Sequence, residues 1–341
     1  MKKILLCFSL IVCIPFFSQV KVAQAKAAQA KTLNQREEVQ QFIHEMVSEH
    51  GMDKNYLNKV FKQTEIRQDI IDLMNRPAEK VKPWYDYKKI FLTDSRTTKG
   101  VNFWQENKEA LAYAKQIYGV PEEYIVAIIG VETFYGRITG RHRVIDALAT
   151  LAFDYPKRAK FFRSELKHYL ILTQEEKVDP LSLKGSYAGA MGLGQFMPSS
   201  YRNYAVNFDG EGQKDIWTNP TDAIGSVAHY FKRHGWVRDG LVIKAAVAKG
   251  RPKETNRKLK AKTSLAEFAE RGISLKNTNL DPQTKAALVV LEEQSGPTYW
   301  LGFNNFYVIS RYNHSAMYSM AVHLLAQDLR RAYLLKNDDK R

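Results

Sequence analysis

Thiols are nearly missing from this 341-residue chain: its two cysteines, Cys7 and Cys13, both lie close to the N-terminus. Removal of a leader after Ala25 takes both away, which excludes disulfides, thiolate metal sites and a cysteine nucleophile from the remaining protein. Acidic residues are scarce beside basic ones, 36 against 51, so the formal charge is +15. Long apolar runs are also lacking. Ile4 to Phe17 covers 14 residues against the roughly 20 that a membrane-spanning helix needs, and no later segment approaches that length. A zinc motif is absent, because His44-Glu45 and His50 would face different sides of a helix. There is no internal repeat. A composition of 45% apolar and 26% charged residues is that of an ordinary globular protein, and the length allows two or three packed units.

What is present begins with Lys2 and Lys3 ahead of the apolar stretch, followed by small-residue sites at Ala23-Gln24-Ala25 and Ala28-Gln29-Ala30. This order predicts a signal peptide over residues 1–25 and an exported protein. A lipid anchor on Cys13 is the weaker alternative, since Val12 is a poor fit to the small residue expected before a lipidated cysteine. Without Lys2, Lys3 and Lys21 the charge is +12, and an anionic partner is implied. Charge alone does not choose between nucleic acid, cell-wall polymer and membrane surface, although an exported protein meets the last two first. The basic run Lys249 to Lys262 contains no aromatic side chain for stacking. It reads as a solvated loop, and no nucleic-acid partner is expected.

Residues 26–33, rich in Ala and Lys, read as a tether. Val39, Phe42, Ile43, Met46 and Val47 then recur at helical spacing up to Gly51, and helical pattern continues through Tyr56-Leu57, Val60-Phe61 and Ile70-Ile71. Pro77 and Pro83 punctuate it before the aromatic cluster Trp84, Tyr85 and Tyr87. Val101 to Tyr118 reads as one helix closed by Gly119. The segment from Trp236 differs: Leu241-Val242-Ile243, Ala287 to Leu291, Tyr299 to Leu301 and Phe306 to Ser310 are short β-prone runs separated by turn residues such as Ser295-Gly296-Pro297. Met317, Met320, Ala321, Leu324 and Leu325 return to helical spacing, with Asn313 or Ser315 as caps. The fold class is therefore mainly α, formally α+β, with a small β-containing insertion.

One helix carries an anomaly. Pro121 suits its first position, and Glu122 and Glu123 suit the positive end of its dipole. From Tyr124 to Val131 nearly every residue is apolar, and Ile125, Ile128 and Ile129 share a face with Glu132. Glu132 places a carboxylate where another aliphatic side chain would pack. Desolvation and the negative helix end, expected near Gly136, both push its pKa upward. A glutamate protonated near neutral pH is a general acid. The competing reading is a buried glutamate neutralised by Arg137 or Arg141.

The second informative stretch is KGSYAGAMGLGQFMPSSY, residues 184–201. Its glycines let backbone approach something closely. Gly189, Gly192 and Gly194 do not make a nucleotide site, because the Gly-Lys-Ser/Thr ending and the acidic ribose partner are both missing. Gln195, with donor and acceptor on one amide, suits a sugar hydroxyl or acetamido group, and Ser186 adds a small hydroxyl. The pairing of GVETFYG (130–136) with SYAGAMGLGQFMPSSY resembles the lytic murein transglycosylases. The intervening IDALATLAFDYPKRAKFF is similar to their membrane-bound lytic transglycosylase B branch, and the likeness continues through NPTDAIGSVAHYFKRHGW to RYNHSAMY at 311–318.

The resemblance implies a lysozyme-like helical core at 119–235, an N-terminal helical region at 34–118, a small β-containing domain at 236–311 and a C-terminal helix at 312–341 that returns to the core. It implies a periplasmic enzyme that cleaves the β-1,4 bond between N-acetylmuramic acid and N-acetylglucosamine, leaving 1,6-anhydromuramic ends. The implied partners are peptidoglycan strands, with peripheral membrane contact and cell-wall synthesis or division proteins as further expectations; no cofactor is required. A hydrolytic muramidase and a non-catalytic peptidoglycan-binding scaffold are the rival readings.

Carried over by position, the catalytic glutamate falls on Glu132, the serine on Ser186 and the glutamine on Gln195. Glu132 would act as acid and then base, and the substrate's own acetamido group would replace a second carboxylate. Asp146 and Asp154 read instead as helix caps or partners of Arg143 or Arg158. Tyr87, Tyr230, Tyr312, Asn313 and Tyr318 match groove positions, although each tyrosine also has a plain packing reading. Arg158 matches one of a basic pair whose other member is Lys157 here, without the planar fork of an arginine, and Phe161 stands where the family often has a tyrosine. Asn207, Asp209, Glu211 and Gln213 resemble a calcium loop; the twelfth position is Thr218, so the resemblance closes it through Asp222. A simple Asp/Gly turn is the alternative.

Overall fold

A computed structural model describes residues 32–76, 82–252 and 259–338. The expected signal peptide, most of the tether, Pro77 and the middle of the basic run lie outside the described residues. The chain forms two compact units, one ending at Thr64 and the other beginning at Glu65.

In the first unit a short 3-10 turn, Leu33–Gln35, precedes helices α1 (Glu37–His50) and α2 (Lys54–Lys62). Gly51 ends α1 with φ of 64°, a left-handed conformation that glycine adopts without steric cost. Asp53 caps α2 by accepting the Tyr56 N–H at 2.6 Å. The apolar stripe read from the sequence, Val39, Phe42, Ile43 and Met46, is buried, and Phe42 meets Phe61 edge-on at 5.8 Å.

The second unit contains α3 (Gln68–Asn75), α4 (Trp84–Phe91), α5 (Asp94–Glu106), α6 (Lys108–Tyr118), α7 (Glu122–Thr133), α8 (Val144–Phe153), α9 (Ala159–Glu175), α10 (Pro198–Tyr204), α11 (Pro220–Arg233), α12 (Leu265–Glu270), α13 (Asn304–Tyr312) and α14 (Ala316–Asp338). Three local expectations need correction. Val101 to Tyr118 is not one helix: the chain breaks at Asn107, whose amide donates to Phe103 O at 2.8 Å. Pro121 is the N-cap rather than the first helical residue. Phe306 to Ser310 is helical, not extended, because Phe306 packs in a core with Met320 and Ala321 of α14.

α7 is the axis of this unit. Every residue from Glu123 to Gly130 is buried, as its nearly unbroken apolar sequence requires, and α5, α6, α11 and α14 pack around it. Each fully buried isoleucine among Ile125, Ile128 and Ile129 is worth about 1.5–3 kcal/mol relative to exposure.

Two strands, β1 (His142–Arg143) and β2 (Lys184–Gly185), form a minimal antiparallel pair. Five others, β3 (Ile243–Ala248), β4 (Thr263–Ser264), β5 (Ile273–Leu275), β6 (Lys285–Glu293) and β7 (Gly296–Gly302), make an antiparallel sheet in the order β4-β6-β7-β3-β5. Alternation along β6 places Val289 and Leu291 in one core with Trp84 and Phe306, and Ala286 and Leu288 in another with Phe268 and Leu301. Both faces of this small sheet are thereby covered.

Candidate active site

Glu132 occupies the last turn of α7. The helix stops one residue later because Phe134 (φ 52°) and Tyr135 (φ 60°) both turn left-handed. Their N–H groups bond back to Gly130 O at 3.1 Å and Ile129 O at 3.3 Å. The end therefore comes ahead of Gly136, which marked it in the sequence. Such backbone costs non-glycine residues about 1–3 kcal/mol each, so neighbouring contacts must hold it. The guanidinium groups of Arg96 and Arg137 lie 4.9 and 5.2 Å from the Phe134 ring centre. Thr133, which the sequence reading passed over, ties the turn together: its hydroxyl accepts the Gly136 N–H at 3.1 Å and contacts the carbonyl oxygens of Ile129 and Leu193 at 3.1 and 2.9 Å. A threonine ending an otherwise aliphatic helix was the available signal.

The Glu132 carboxyl keeps some solvent access, but protein surrounds it, and burial raises its pKa from 4.5 to about 7. Tyr318, itself buried, donates its hydroxyl to Glu132 Oε1 at 2.5 Å, and that net value already includes the lowering by this bond. Among the described residues no lysine or arginine pairs with Glu132. Arg137 stands over Phe134 and Arg141 lines a separate cavity, so the ion-pair alternative is not realised.

Tyr87, Tyr312 and Tyr318 all lie within electrostatic reach of Glu132, and burial raises each phenol pKa. These groups therefore stay neutral. Tyr312 donates to Gly194 O at 2.6 Å and thereby joins α13 to the glycine stretch. Tyr230 stands behind it, 4.7 Å between ring centres, and donates to Arg311 O at 2.6 Å. Asn313, exposed and extended, follows Tyr312 at the end of α13.

The glycine stretch is a tight loop. Gly192 (φ 68°) lies so close to Ile216 that a Cβ there would meet Ile216 O at 2.5 Å. Ser186 Oγ accepts the Ala190 N–H at 3.0 Å. Gln195 is left-handed (φ 51°), and its amide donates to Thr139 O at 3.1 Å and Gly192 O at 3.0 Å. Its side-chain oxygen has no hydrogen-bond partner among the described residues. Arg158 is exposed, its guanidinium 4.4 Å from the Phe161 ring centre and 5.1 Å from that of Phe162. Asp146 pairs with Arg143 at 2.6 Å, as its structural reading expected.

In the 207–213 loop Asn207 Oδ1 accepts the Gly210 N–H at 2.9 Å, and Asp209 accepts from the Glu211 N–H at 3.0 Å and from Asn219 at 2.7 Å. The Asn207 amide nitrogen donates to Glu211 O and Gly212 O. Buried Asp222 gives one oxygen to the Phe208 N–H and the other to the Asp215 N–H, at 2.6 and 2.8 Å. Among the described residues no three acidic or histidine side chains converge as a metal site. As folded here, the side-chain oxygens of Asn207, Asp209 and Asp222 bond to the loop and its neighbours, and the set does not fit calcium without rearrangement.

Residues 34–327 match the family described as Transglycosylase SLT domain. The chain is 46% identical over 297 residues to the membrane-bound lytic murein transglycosylase B of Escherichia coli K12, covering 84% of this chain and 81% of that protein. The crystal structure of the soluble lytic transglycosylase SltB1 from Pseudomonas aeruginosa matches with a TM-score of 0.83 and 50% identity over 86% of this chain and 99% of that one. The Escherichia coli lytic transglycosylase Slt35, in complex with calcium, matches with a TM-score of 0.82 and 44% identity over 88% and 95%. The chain belongs to the lytic transglycosylases of the SLT-domain family.

Proposed function

We propose that this enzyme cleaves the β-1,4 bond between N-acetylmuramic acid and N-acetylglucosamine of peptidoglycan, with Glu132 as its single acid and base. The observation that carries this reading is the state of Glu132: half-buried, free of any cationic partner among the described residues, its pKa raised to about 7, and bonded to a neutral tyrosine. Protonated Glu132 gives its proton to the glycosidic oxygen as the C1–O4 bond breaks, and the acetamido carbonyl oxygen of the muramyl residue shields C1. The carboxylate left behind takes the proton of the C6 hydroxyl as O6 bonds to C1, so the 1,6-anhydro ring forms and Glu132 is protonated again. Among the described residues no second carboxylate perturbs Glu132, which favours this route over a hydrolytic one.

Ser186 and Gln195 would orient the acetamido group, and Tyr87, Tyr230, Tyr312, Asn313 and Tyr318 would line the groove. Arg158, facing solvent, would meet the glycan only at the periphery. Calcium belongs to this reading only as a ligand of the 207–213 loop and Asp222, after rearrangement of Asn207, Asp209 and Asp222; no chemical step passes through it. No described helix is long and apolar enough to cross a membrane, and the basic, exported chain is read as periplasmic. The test is digestion of purified sacculi with residues 26–341 beside Glu132→Gln. Anhydro ends that disappear in the variant support the assignment; reducing ends move it to a muramidase, and binding without products from either protein moves it to a scaffold.

A further inference from the structure

The wall that carries Ser186 and Gln195 is tied through residues 139–142 to the lining of a cavity. Thr139 O holds the Gln195 amide. Gly140 lies against the Gly185–Ser186 backbone so closely that a Cβ would collide with it, and His142 pairs with Gly185 across the β1–β2 ladder. Arg141 and His142 then line a cavity of about 220 Å³ together with Arg67, Arg143 and three carboxylates.

Two of those carboxylates are already engaged. Asp69 is held by Arg67 through two bonds of 3.0 Å. Asp146 is held by Arg143 at 2.6 and 3.0 Å and by the Glu65 N–H at 3.0 Å. The third, Glu65, is exposed and stands 3.9 Å from both Arg67 and Arg143. Among the described residues neither Arg141 nor the His142 ring has a hydrogen-bond or ion-pair partner, although the Asp69 carboxylate acts on the ring electrostatically. Burial holds the His142 pKa below its ordinary value, with Asp69 and Asp146 opposing it and Arg141 and Arg67 adding to it, so the neutral ring offers one N–H donor beside the exposed Arg141 guanidinium. The volume is below the roughly 300–1,000 Å³ of pockets for drug-sized ligands. It suits a single carboxylate-bearing residue rather than a disaccharide, and an arginine fork matches a carboxylate in two parallel bonds.

We propose that Arg141 and His142 form an anion subsite flanking the Ser186–Gln195 wall, which takes a carboxylate of the peptide stem borne by the muramyl residue. The assignment rests on the transglycosylase reading above. It gives the stem a contact separate from Arg158, whose guanidinium is stacked on Phe161.

The direct test is an NMR titration of the His142 ring with a soluble stem peptide whose carboxyl groups are free, with its fully amidated counterpart and with inorganic phosphate. The free acid should shift the ring signals in the wild type and not in Arg141→Gln. Equal shifts from the amide, shifts from phosphate alone, or an undiminished response in Arg141→Gln would overturn the proposal. A kinetic arm compares stem-bearing and peptide-free glycan strands. Arg141→Gln should raise KM about tenfold on the first, with kcat retained, and leave the second unchanged; an equal change on both substrates refutes a stem contact. Failure of the parent reading is distinguishable, because wild-type enzyme would then yield no anhydro ends while the titration stays readable.

Discussion

The Tyr318 hydroxyl and Glu132 Oε1, 186 positions apart in sequence, meet across 2.5 Å. The bond acts against burial: desolvation pushes the carboxyl pKa up, the Tyr318 donor to the charged form pulls it down, and the net is about 7. A general acid works only while protonated, so cleavage should decline as pH rises through about 7. Tyr318→Phe removes the lowering influence and should move that alkaline limb upward by about one unit, equivalent to one ordinary hydrogen bond. A pH–rate profile on glycan strands checks this. A limb that stays in place or moves down would separate Tyr318 from the titration of Glu132.

The same burial has a consequence for stability. The folded-state pKa of Glu132 is raised above its ordinary 4.5, so between about pH 4.5 and 7 the folded chain retains a proton that the unfolded chain has released. Stability contributed by this group is complete below the unfolded value and falls as pH rises through the folded one. Glu132→Gln should be as stable as wild type near pH 4 and more stable at pH 8, by on the order of 2–3 kcal/mol, while losing cleavage. Urea unfolding at the two pH values measures the difference. Equal stability at both would mean that the carboxyl ionises without cost in the folded protein.

Much of this arrangement was legible beforehand. The apolar run from Tyr124 to Val131 announced a buried helix, and Gly51 and Gly119 marked helix ends that they do form. Phe306 to Ser310 misled because aromatic and β-branched residues favour strands only until tertiary packing decides, and Phe306 is claimed by the core against α14. The left-handed pair Phe134-Tyr135 could not be read, since neither residue favours that conformation locally. Arg158 shares its sequence neighbourhood with Phe161 and Phe162, and their rings hold its guanidinium.

Thr133 precedes the left-handed pair and Tyr135 is its second member, and the two should respond oppositely to loss of a hydroxyl. Thr133→Val deprives the Gly136 N–H of its acceptor and Leu193 O of its contact, which should cost about 1–3 kcal/mol and lower kcat by loosening the loop against Glu132. The Tyr135 hydroxyl is buried without a hydrogen-bond partner. Tyr135→Phe should therefore be neutral or stabilising by up to about 1 kcal/mol. Thermal unfolding of the two variants side by side decides the matter; a marked loss in Tyr135→Phe would reveal a hidden partner, such as a buried water shared with Arg96 Nε, the other unpaired buried atom among the described residues.

Gly192 and Gly210 are both left-handed, with φ of 68° and 78°, but differ in surroundings. A Cβ at Gly210 meets nothing within 4 Å, whereas one at Gly192 lies 2.5 Å from Ile216 O. Gly210→Ala should show backbone strain alone, about 1–2 kcal/mol. Gly192→Ala must also push the Ile216 backbone away, breaking the bond from the Leu193 N–H to Ile216 O at 2.9 Å, and should cost at least about 1 kcal/mol more. Because Gln195 donates to Gly192 O, the displacement should also raise KM for glycan strands, an effect that Gly210→Ala should not share. Melting temperatures and KM values for the pair test both parts. Equal losses of stability with unchanged KM would mean that Gly192 is required for its φ alone, and that the loop positions Gln195 without that carbonyl.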